Sequence, residues 1–217
     1  VRLTSEAATH GFYRKPRVSK DFLSKHTEGL IGFSGCLAGE LNQHLMEGKY
    51  EEAKRTAGFF QDIFGKNNFF LEIQDHGLEP DKGVCDALFK MERELGIPLI
   101  ATNDSHYVAN DDSRAHEILL CVQTAGSMND PNRFKFDTQE FYIKSAEEMH
   151  RTFTGHEEVC ARTMQFVDRC NLKMSKVKNP FPGVDVPQGH TLDSYFESVC
   201  REGLKKRLET AVAHLRE

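Results

Sequence analysis

Three short apolar runs, each followed by a helix-like segment, constrain the fold of this chain more than any other feature. The runs at residues 30–33, 69–73 and 97–101 have the length and composition of buried strands. Segments with helical periodicity follow them, at residues 40–47, 50–64, 84–95 and 111–124. This regular alternation predicts an α/β fold with a parallel sheet or barrel.

Two of these helical segments have a distinct apolar face. In the segment 50–64 the face consists of Ala53, Ala57, Phe60 and Phe64. In the segment 111–124 it consists of Ala115, Ile118, Leu119 and Val122. Such faces are typical of helices that cover a sheet.

A carboxylate and an imidazole follow the third apolar run, as Asp104 and His106. Side chains two positions apart in extended chain point to the same side. Carboxylate oxygen and imidazole nitrogen suit zinc or manganese, and the carboxyl ends of parallel strands are where α/β folds place their chemistry. The alternative is a turn aspartate followed by a hydrogen-bonded surface histidine.

A cysteine lies in the corresponding position after the first run. Cys36 stands in a turn between Gly35 and Gly39, and both glycines permit close backbone approach. Its thiolate would be a soft metal ligand. The alternative is a small buried hydrophobic side chain, the commoner role of a free cysteine.

Charge and cysteine content narrow the class of protein. The net charge of −5 argues against an autonomous DNA-binding domain, which needs clustered cations. Two basic clusters exist nonetheless, and a solvated surface is the favoured interpretation of both: Arg14, Lys15, Arg17, Lys20 and Lys25, and Lys205, Lys206 and Arg207. Six widely spaced cysteines are typical of reduced thiols. No apolar run approaches a membrane span, so we expect a cytoplasmic protein.

The pattern becomes helical after Ser145, which begins a capping box with Glu148. A further helix is predicted at residues 157–170. Prolines and glycines at 176–190 predict a linker and a domain boundary. Beyond it a long amphipathic helix carries one apolar stripe: Leu192, Phe196, Val199, Cys200, Leu204, Leu208 and Val212.

Six blocks of sequence resemble the alpha subunits of bacterial DNA polymerase III. They are GFYRKPR at 11–17, SGCLAGE at 34–40, FLEIQDHG at 70–77, ATNDSHY at 101–107, HEILLCVQT at 116–124 and FYIKSAEEM at 141–149. The resemblance implies the later part of a polymerase-and-histidinol-phosphatase (PHP) domain at residues 1–175 and the start of the polymerase palm at 191–217. It implies an incomplete, seven-stranded, TIM-like barrel without its first strands, followed by a helical segment.

The resemblance also implies roles for individual residues. Cys36, Asp104 and His106 fall on metal-ligand positions of the PHP domain, with zinc or manganese as the ion. Glu72 and His76 do not match that ligand set, so we expect them at the rim and turn of the site. A His-x-His pair on the first strand would precede Val1, and the catalytic carboxylates of the palm would follow Glu217.

The function implied is that of a fragment of a replicative polymerase. The full-length subunit would be a DNA-directed DNA polymerase that uses magnesium, primer-template DNA and dNTPs and meets other replisome subunits such as the sliding clamp. Its PHP domain would give metal-dependent 3′-5′ exonuclease proofreading or act as a scaffold. We expect this chain to be inactive alone. The alternative is a free-standing PHP-family phosphoesterase, against which the proline-rich linker and the following helix argue.

Overall fold

The computed structural model describes residues 1–176 and 183–214. The chain divides into two units, Val1–Asn171 and Leu172–Glu217. Residues 177–182, within the predicted linker, and 215–217, at the end of the predicted palm segment, lie outside the described residues. The domain boundaries stay a prediction.

The first unit is built on a three-stranded parallel sheet. Its strands are β1 (Gly32–Phe33), β2 (Phe69–Ile73) and β3 (Leu99–Ala101), in the order β1-β2-β3. Gly32 aligns with Phe69, and Leu71 aligns with Leu99. The predicted α/β class and parallel strands are therefore confirmed. The first and third strands are shorter than predicted because only part of each apolar run pairs with β2.

Helices connect and follow the strands. The first unit contains α1 (Arg2–Thr9), α2 (Lys20–Ser24), α3 (Glu40–Met46), α4 (Tyr50–Phe64), α5 (Glu79–Leu95), α6 (Ser113–Thr124), α7 (Ala146–Thr152) and α8 (Glu157–Arg169). The second unit contains α9 (Leu192–His214). The predicted bounds of α4 are confirmed, and the Ser145 hydroxyl caps α7 as predicted by accepting from the Glu148 amide. None of the helices in the described residues is long and apolar enough to cross a membrane.

The core of the first unit surrounds β2. Leu71 and Ile73 are fully buried, and helices α4, α5 and α8 pack around the sheet. Ala53 and Ala57 of α4 have no exposed surface, as the predicted apolar face of this helix requires. Aromatic rings extend the same core, with Phe60 and Phe64 stacked on Phe69.

The turn from β2 into α5 is held by a buried carboxylate. Asp81 accepts hydrogen bonds from the backbone amides of His76 and Leu78, both at 2.9 Å. These amides lie just before and at the beginning of the helix, where backbone donors have no helical partners. The Asp81 side chain therefore fixes the backbone at His76, at the carboxyl end of β2.

At Leu99, the outer edge of β3 is occupied by side chains. The Leu99 amide donates to Glu92 Oε1 at 3.1 Å, and Arg162 Nη1 donates to the Leu99 carbonyl at 2.7 Å. Arg162 and Glu92 also form an ion pair with each other at 2.7 Å. The three-stranded sheet of the described residues shows the mixed α/β architecture; it does not show the incomplete TIM-like barrel that we expected.

The apolar face of α6 is not covered. Ile118, Leu119 and Val122 are exposed, and the buried residues of the helix are Leu120 and Cys121. In the second unit the stripe of α9 is likewise exposed, at Leu192, Phe196, Val199, Leu204 and Leu208. The period of apolar residues predicted both helices correctly, but it carries no information on whether another element covers them.

Candidate metal centre

A cavity of about 320 Å³ opens at the carboxyl edge of the sheet. The loops that follow the three strands contribute Cys36, His76 and Asp104, and aromatic rings complete the wall with Phe134, Phe136 and Phe141. Cys36 and Asp104 therefore lie at the same edge of the sheet, as the strand order predicted. His76 lies with them, although we expected it at a rim or turn.

Hydrogen bonds of Glu72 connect β2 to the segments that follow β1 and β3. Its Oε2 accepts from the Gly35 amide at 3.0 Å, and its Oε1 accepts from the Thr102 hydroxyl at 2.6 Å. Its own amide donates to the Ser34 hydroxyl at 2.8 Å. Both carboxylate oxygens thus have partners within the protein. The predicted rim residue Glu72 holds the loops that carry Cys36 and Asp104 in place.

The turn around Cys36 is fixed on its other side by α3. Asn42 is buried, and its side-chain amide donates to the carbonyls of Gly35 and Cys36, both at 3.0 Å. Gly35 adopts a φ of +85°, which favours glycine. A Cβ on Gly39 would come within 2.6 Å of the Ser34 carbonyl oxygen. The glycines therefore permit a tight turn that presents a half-buried Cys36 to the cavity.

Asp104 and His106 form a pair beyond the end of β3. Asp104 Oδ2 and His106 Nε2 lie 3.4 Å apart, and the two side chains are 44% and 37% exposed. The His106 amide donates to the Phe141 carbonyl at 2.7 Å, which fixes the backbone without using the imidazole. One oxygen and one nitrogen donor thus lie together and open to solvent, as the Asp-x-His pattern predicted.

His76 is 3% exposed and stacks on Phe141, with ring centroids 4.4 Å apart. Its Nε2 accepts a hydrogen bond from the Asp104 amide at 3.3 Å. Burial lowers the pKa of His76; Asp81 and Asp104 oppose this shift, and Lys144 adds to it. The neutral ring therefore acts as an acceptor that positions the Asp104 backbone.

Phe134, Lys135 and Phe136 form a lip at the cavity. Phe134 is 57% exposed, and Phe136 packs against His106 at 4.8 Å and Phe141 at 4.6 Å between ring centroids. The period-two spacing of these phenylalanines is typical of a half-buried strand, but the segment is irregular and pairs with no strand in the described residues.

His116 lies behind this lip. Together with Arg114 and Lys135 it lines a second cavity of about 330 Å³, which shares Lys135 and Phe136 with the first. Burial lowers the pKa of His116, and the neighbouring His106 acts in the same direction. The ring packs against Phe136 at 5.0 Å and Tyr107 at 5.2 Å.

The donor set has the chemistry of a zinc or manganese site but is not brought together as one cluster. Within residues 1–176 and 183–214, no three His, Cys, Asp or Glu side chains lie close enough to share an ion. Asp104 and His106 are the assembled pair, and Cys36 lines the same cavity as Asp104. Thiolate, carboxylate and imidazole are all zinc ligands. These residues therefore match a metal by donor type, although the three side chains are not close enough in this structure to share one ion.

The sequence is similar to a family of known proteins. Residues 1–76 match the family model described as the PHP domain. The chain is 40% identical over 206 residues to DNA polymerase III subunit alpha of Treponema pallidum, an alignment that covers 94% of this chain and 18% of that protein.

Other relatives give the same result. The DNA polymerase III alpha subunits of Borreliella burgdorferi and Deinococcus radiodurans are 38% and 39% identical over the whole chain, which spans 19% and 16% of their lengths. The similarity thus extends through both units of the chain and covers less than a fifth of each relative. The chain belongs to the family of the DNA polymerase III alpha subunit and corresponds to the part of it that includes PHP-domain sequence.

Proposed function

We propose that the full-length protein is a replicative DNA-directed DNA polymerase, to which this chain contributes PHP-domain sequence and the start of the palm. The supporting observation is the 40% identity that runs along 94% of the chain. Polymerisation would use magnesium, primer-template DNA and dNTPs in the cytoplasm, beside replisome subunits such as the sliding clamp. The three-stranded sheet would be one sector of the PHP-type barrel.

We further propose that Cys36, Asp104 and His106 bind zinc or manganese in the cavity at the sheet edge. The single observation that carries this proposal is the Asp104–His106 pair, 3.4 Å apart, of which Asp104 lines the same cavity as Cys36. A bound divalent ion would lower the pKa of a water molecule and polarise a phosphodiester.

The surrounding residues would support that chemistry without touching the ion. Glu72 holds the Gly35 amide next to Cys36, and His76 accepts from the Asp104 amide. Phe136 and Phe141 pack against the His106 ring and restrict its orientation. Such supporting contacts normally tune affinity for a metal by tenfold to a hundredfold.

The activity proposed for the site is 3′-5′ exonuclease proofreading within the full-length subunit. The alternative within the same family is a PHP domain that serves only as a scaffold. Exposure of the Asp104 and His106 side chains favours a reactive site, because a structural ion pair gains little from staying open to water. A free-standing phosphoesterase is the remaining alternative.

The test compares metal content and release of primer 3′ ends for this chain and for the full-length subunit. We expect the isolated chain to be inactive in both polymerisation and nuclease assays, and the full-length subunit to lose zinc or manganese and 3′-end release in His106→Ala. His116→Ala is the matched control, because its ring lies 5.6 Å from that of His106 and its residue is outside the proposed ligand set.

Each outcome distinguishes the alternatives. Metal retained without any 3′-end release in the full-length subunit would favour the scaffold. Strong release by the isolated chain that disappears in His106→Ala would favour the self-contained phosphoesterase.

A further inference from the structure

The loop at residues 11–17, which we name the basic loop, concentrates cations and aromatic rings on one small surface. Phe12, Tyr13, Arg14, Lys15 and Arg17 are all exposed. Phe12 and Tyr13 retain 61% and 64% of their accessible surface. The two exposed rings therefore stand beside three cations on a chain whose net charge is −5. The loop lies outside the cavity of the proposed metal site.

The backbone of the basic loop is closed on itself. Tyr13 and Lys15 exchange two hydrogen bonds, at 3.2 and 2.7 Å, and the Arg17 amide donates to the Gly11 carbonyl at 3.2 Å. A Cβ on Gly11 would come within 1.9 Å of the Arg17 carbonyl oxygen, so only glycine fits this closure. The side chains between these two positions are therefore directed away from a fixed backbone.

Arg14 adopts a left-handed conformation, with a φ of +60°. A residue with a Cβ reaches this region at a cost, and such strain persists where the surroundings impose it. The guanidinium carbons of Arg14 and Arg17 lie 5.7 and 5.6 Å from the centre of the Tyr13 ring. Two guanidinium groups thus lie beside the same ring, and one of them belongs to a residue with a strained backbone.

No carboxylate of the described residues neutralises the cations of the basic loop. In the part of the chain that the structure describes, Arg14, Lys15 and Arg17 have no carboxylate within 4.0 Å. The two lysines next in sequence differ, since Lys20 pairs with Glu40 and Lys25 pairs with Asp21. The five-cation cluster in the sequence is therefore two ion pairs and three free charges.

We propose that the basic loop binds single-stranded nucleic acid. Three free cations on a fixed backbone match a run of phosphates, and counterion release makes such contacts favourable. Phe12 supplies an exposed aromatic face for a nucleobase, and the guanidinium planes held by Tyr13 supply further stacking surfaces. An acidic protein surface would use the charges and leave the Phe12 ring without a role. This surface goes beyond the proposed metal site and does not depend on it.

The test measures binding of a fluorescent oligo(dT) to the 217-residue chain by anisotropy, between 50 and 200 mM salt. The loop variant combines Arg14→Ala, Lys15→Ala and Arg17→Ala. We expect its affinity at 50 mM salt to fall at least tenfold. The slope of log K against log salt should fall by about 2, because each phosphate contact on a single strand contributes about 0.7.

The matched control variant removes the same number of charges from α9, by Lys205→Ala, Lys206→Ala and Arg207→Ala. All three are exposed, and none has a carboxylate within 4.0 Å in the described residues. We expect a change in affinity of less than about twofold for this variant. Phe12→Ala should weaken binding about tenfold, since stacking of one base accounts for roughly that factor. Phe196→Ala, which removes an exposed ring from α9, should leave the affinity unchanged.

Arg14→Gly separates binding from folding. Glycine accepts the left-handed backbone freely, so the melting temperature should stay equal or rise while the affinity falls. Equal losses in the two triple variants, no measurable binding at 50 mM salt, or unchanged affinity in Phe12→Ala would overturn the proposal. So would competition by polyglutamate as effective as that by unlabelled oligo(dT), which would indicate an acidic protein partner instead.

Discussion

Two carboxylates at neighbouring strand ends have opposite environments. Glu72, in β2, accepts hydrogen bonds from Gly35 on one oxygen and from Thr102 on the other. Asp104, beyond β3, contacts only the His106 imidazole through its carboxylate among the described residues. The sequence makes both look like candidate ligands, since each is an acidic residue at the carboxyl end of a strand.

The difference separates a structural carboxylate from one that is available for chemistry. A ligand needs oxygen lone pairs that protein donors do not use: both oxygens of Glu72 already accept hydrogen bonds from Gly35 and Thr102, whereas the Asp104 carboxylate contacts only His106 among the described residues. Glu72 instead fixes the positions of the loops that carry the donor side chains. Hydrogen-bond occupancy therefore distinguishes residues that the sequence pattern cannot.

The largest effect expected from this comparison is on folding. Glu72→Ala should lower the free energy of unfolding by about 3 kcal/mol, because it leaves the Gly35 amide and the Thr102 hydroxyl without an acceptor in a half-buried region. Asp104→Ala should cost less than about 1 kcal/mol, as expected for a partly exposed pair. Urea denaturation of the two variants measures both values. Equal losses would mean that the carboxylates share one role.

A smaller effect is expected when only one donor to Glu72 is removed. Thr102→Val keeps the side-chain shape and should cost about 1 to 2 kcal/mol, since Glu72 loses a hydrogen bond at 2.6 Å. Ser105→Ala is the control: it removes a hydroxyl that donates to the Tyr142 carbonyl at 3.2 Å, on an exposed residue. That change should cost less than about 0.5 kcal/mol. Thermal denaturation would contradict the comparison if the order were reversed.

The smallest effect concerns two thiols near the same edge. Cys85 donates to the Gln74 carbonyl at 3.4 Å, beyond the end of β2, and burial raises the pKa of its thiol to about 12. At pH 8 we expect iodoacetamide to modify the exposed Cys170 and Cys200 first and Cys85 last. Zinc should slow the alkylation of Cys36 and leave that of Cys85 unchanged. Mass spectrometry of the modified peptides reads out each thiol separately.

The same pKa shift gives a pH dependence with a definite sign. The folded state keeps the Cys85 proton above the ordinary pKa of a thiol, whereas the unfolded state loses it. The unfolded chain then binds fewer protons, so stability falls as the pH rises above about 9. Cys85→Ala should flatten this decline. An unchanged slope would place the titrating group elsewhere.

The local sequence pattern correctly predicted the elements that are covered by other parts of the protein on both faces. The predicted range for β2 is the observed one, because all of its residues except Glu72 are buried. The bounds of β1 and β3 were overestimated, since pairing with β2 ends before the apolar runs do. The α6 face was recognised as apolar, but its exposure depends on what lies next to it, which periodicity does not encode.

Only part of the candidate site could be predicted from local sequence pattern. Asp104 and His106 are close in sequence, so extended geometry alone brings their side chains together. The role of His76 depends on its burial and on stacking against Phe141, which lies 65 positions further along the chain. The free cations of the basic loop likewise required knowledge of which lysines pair elsewhere.

The ion pair of Arg162 and Glu92 affects where a further strand can join the sheet. A strand can join a sheet only where backbone donors and acceptors are still free, and these two side chains already use both groups of Leu99. Along β1, no strand of the described residues occupies the opposite edge. A further strand beside Leu99, from a longer polypeptide or from a second molecule, would therefore have to displace both side chains before it could pair with the backbone there.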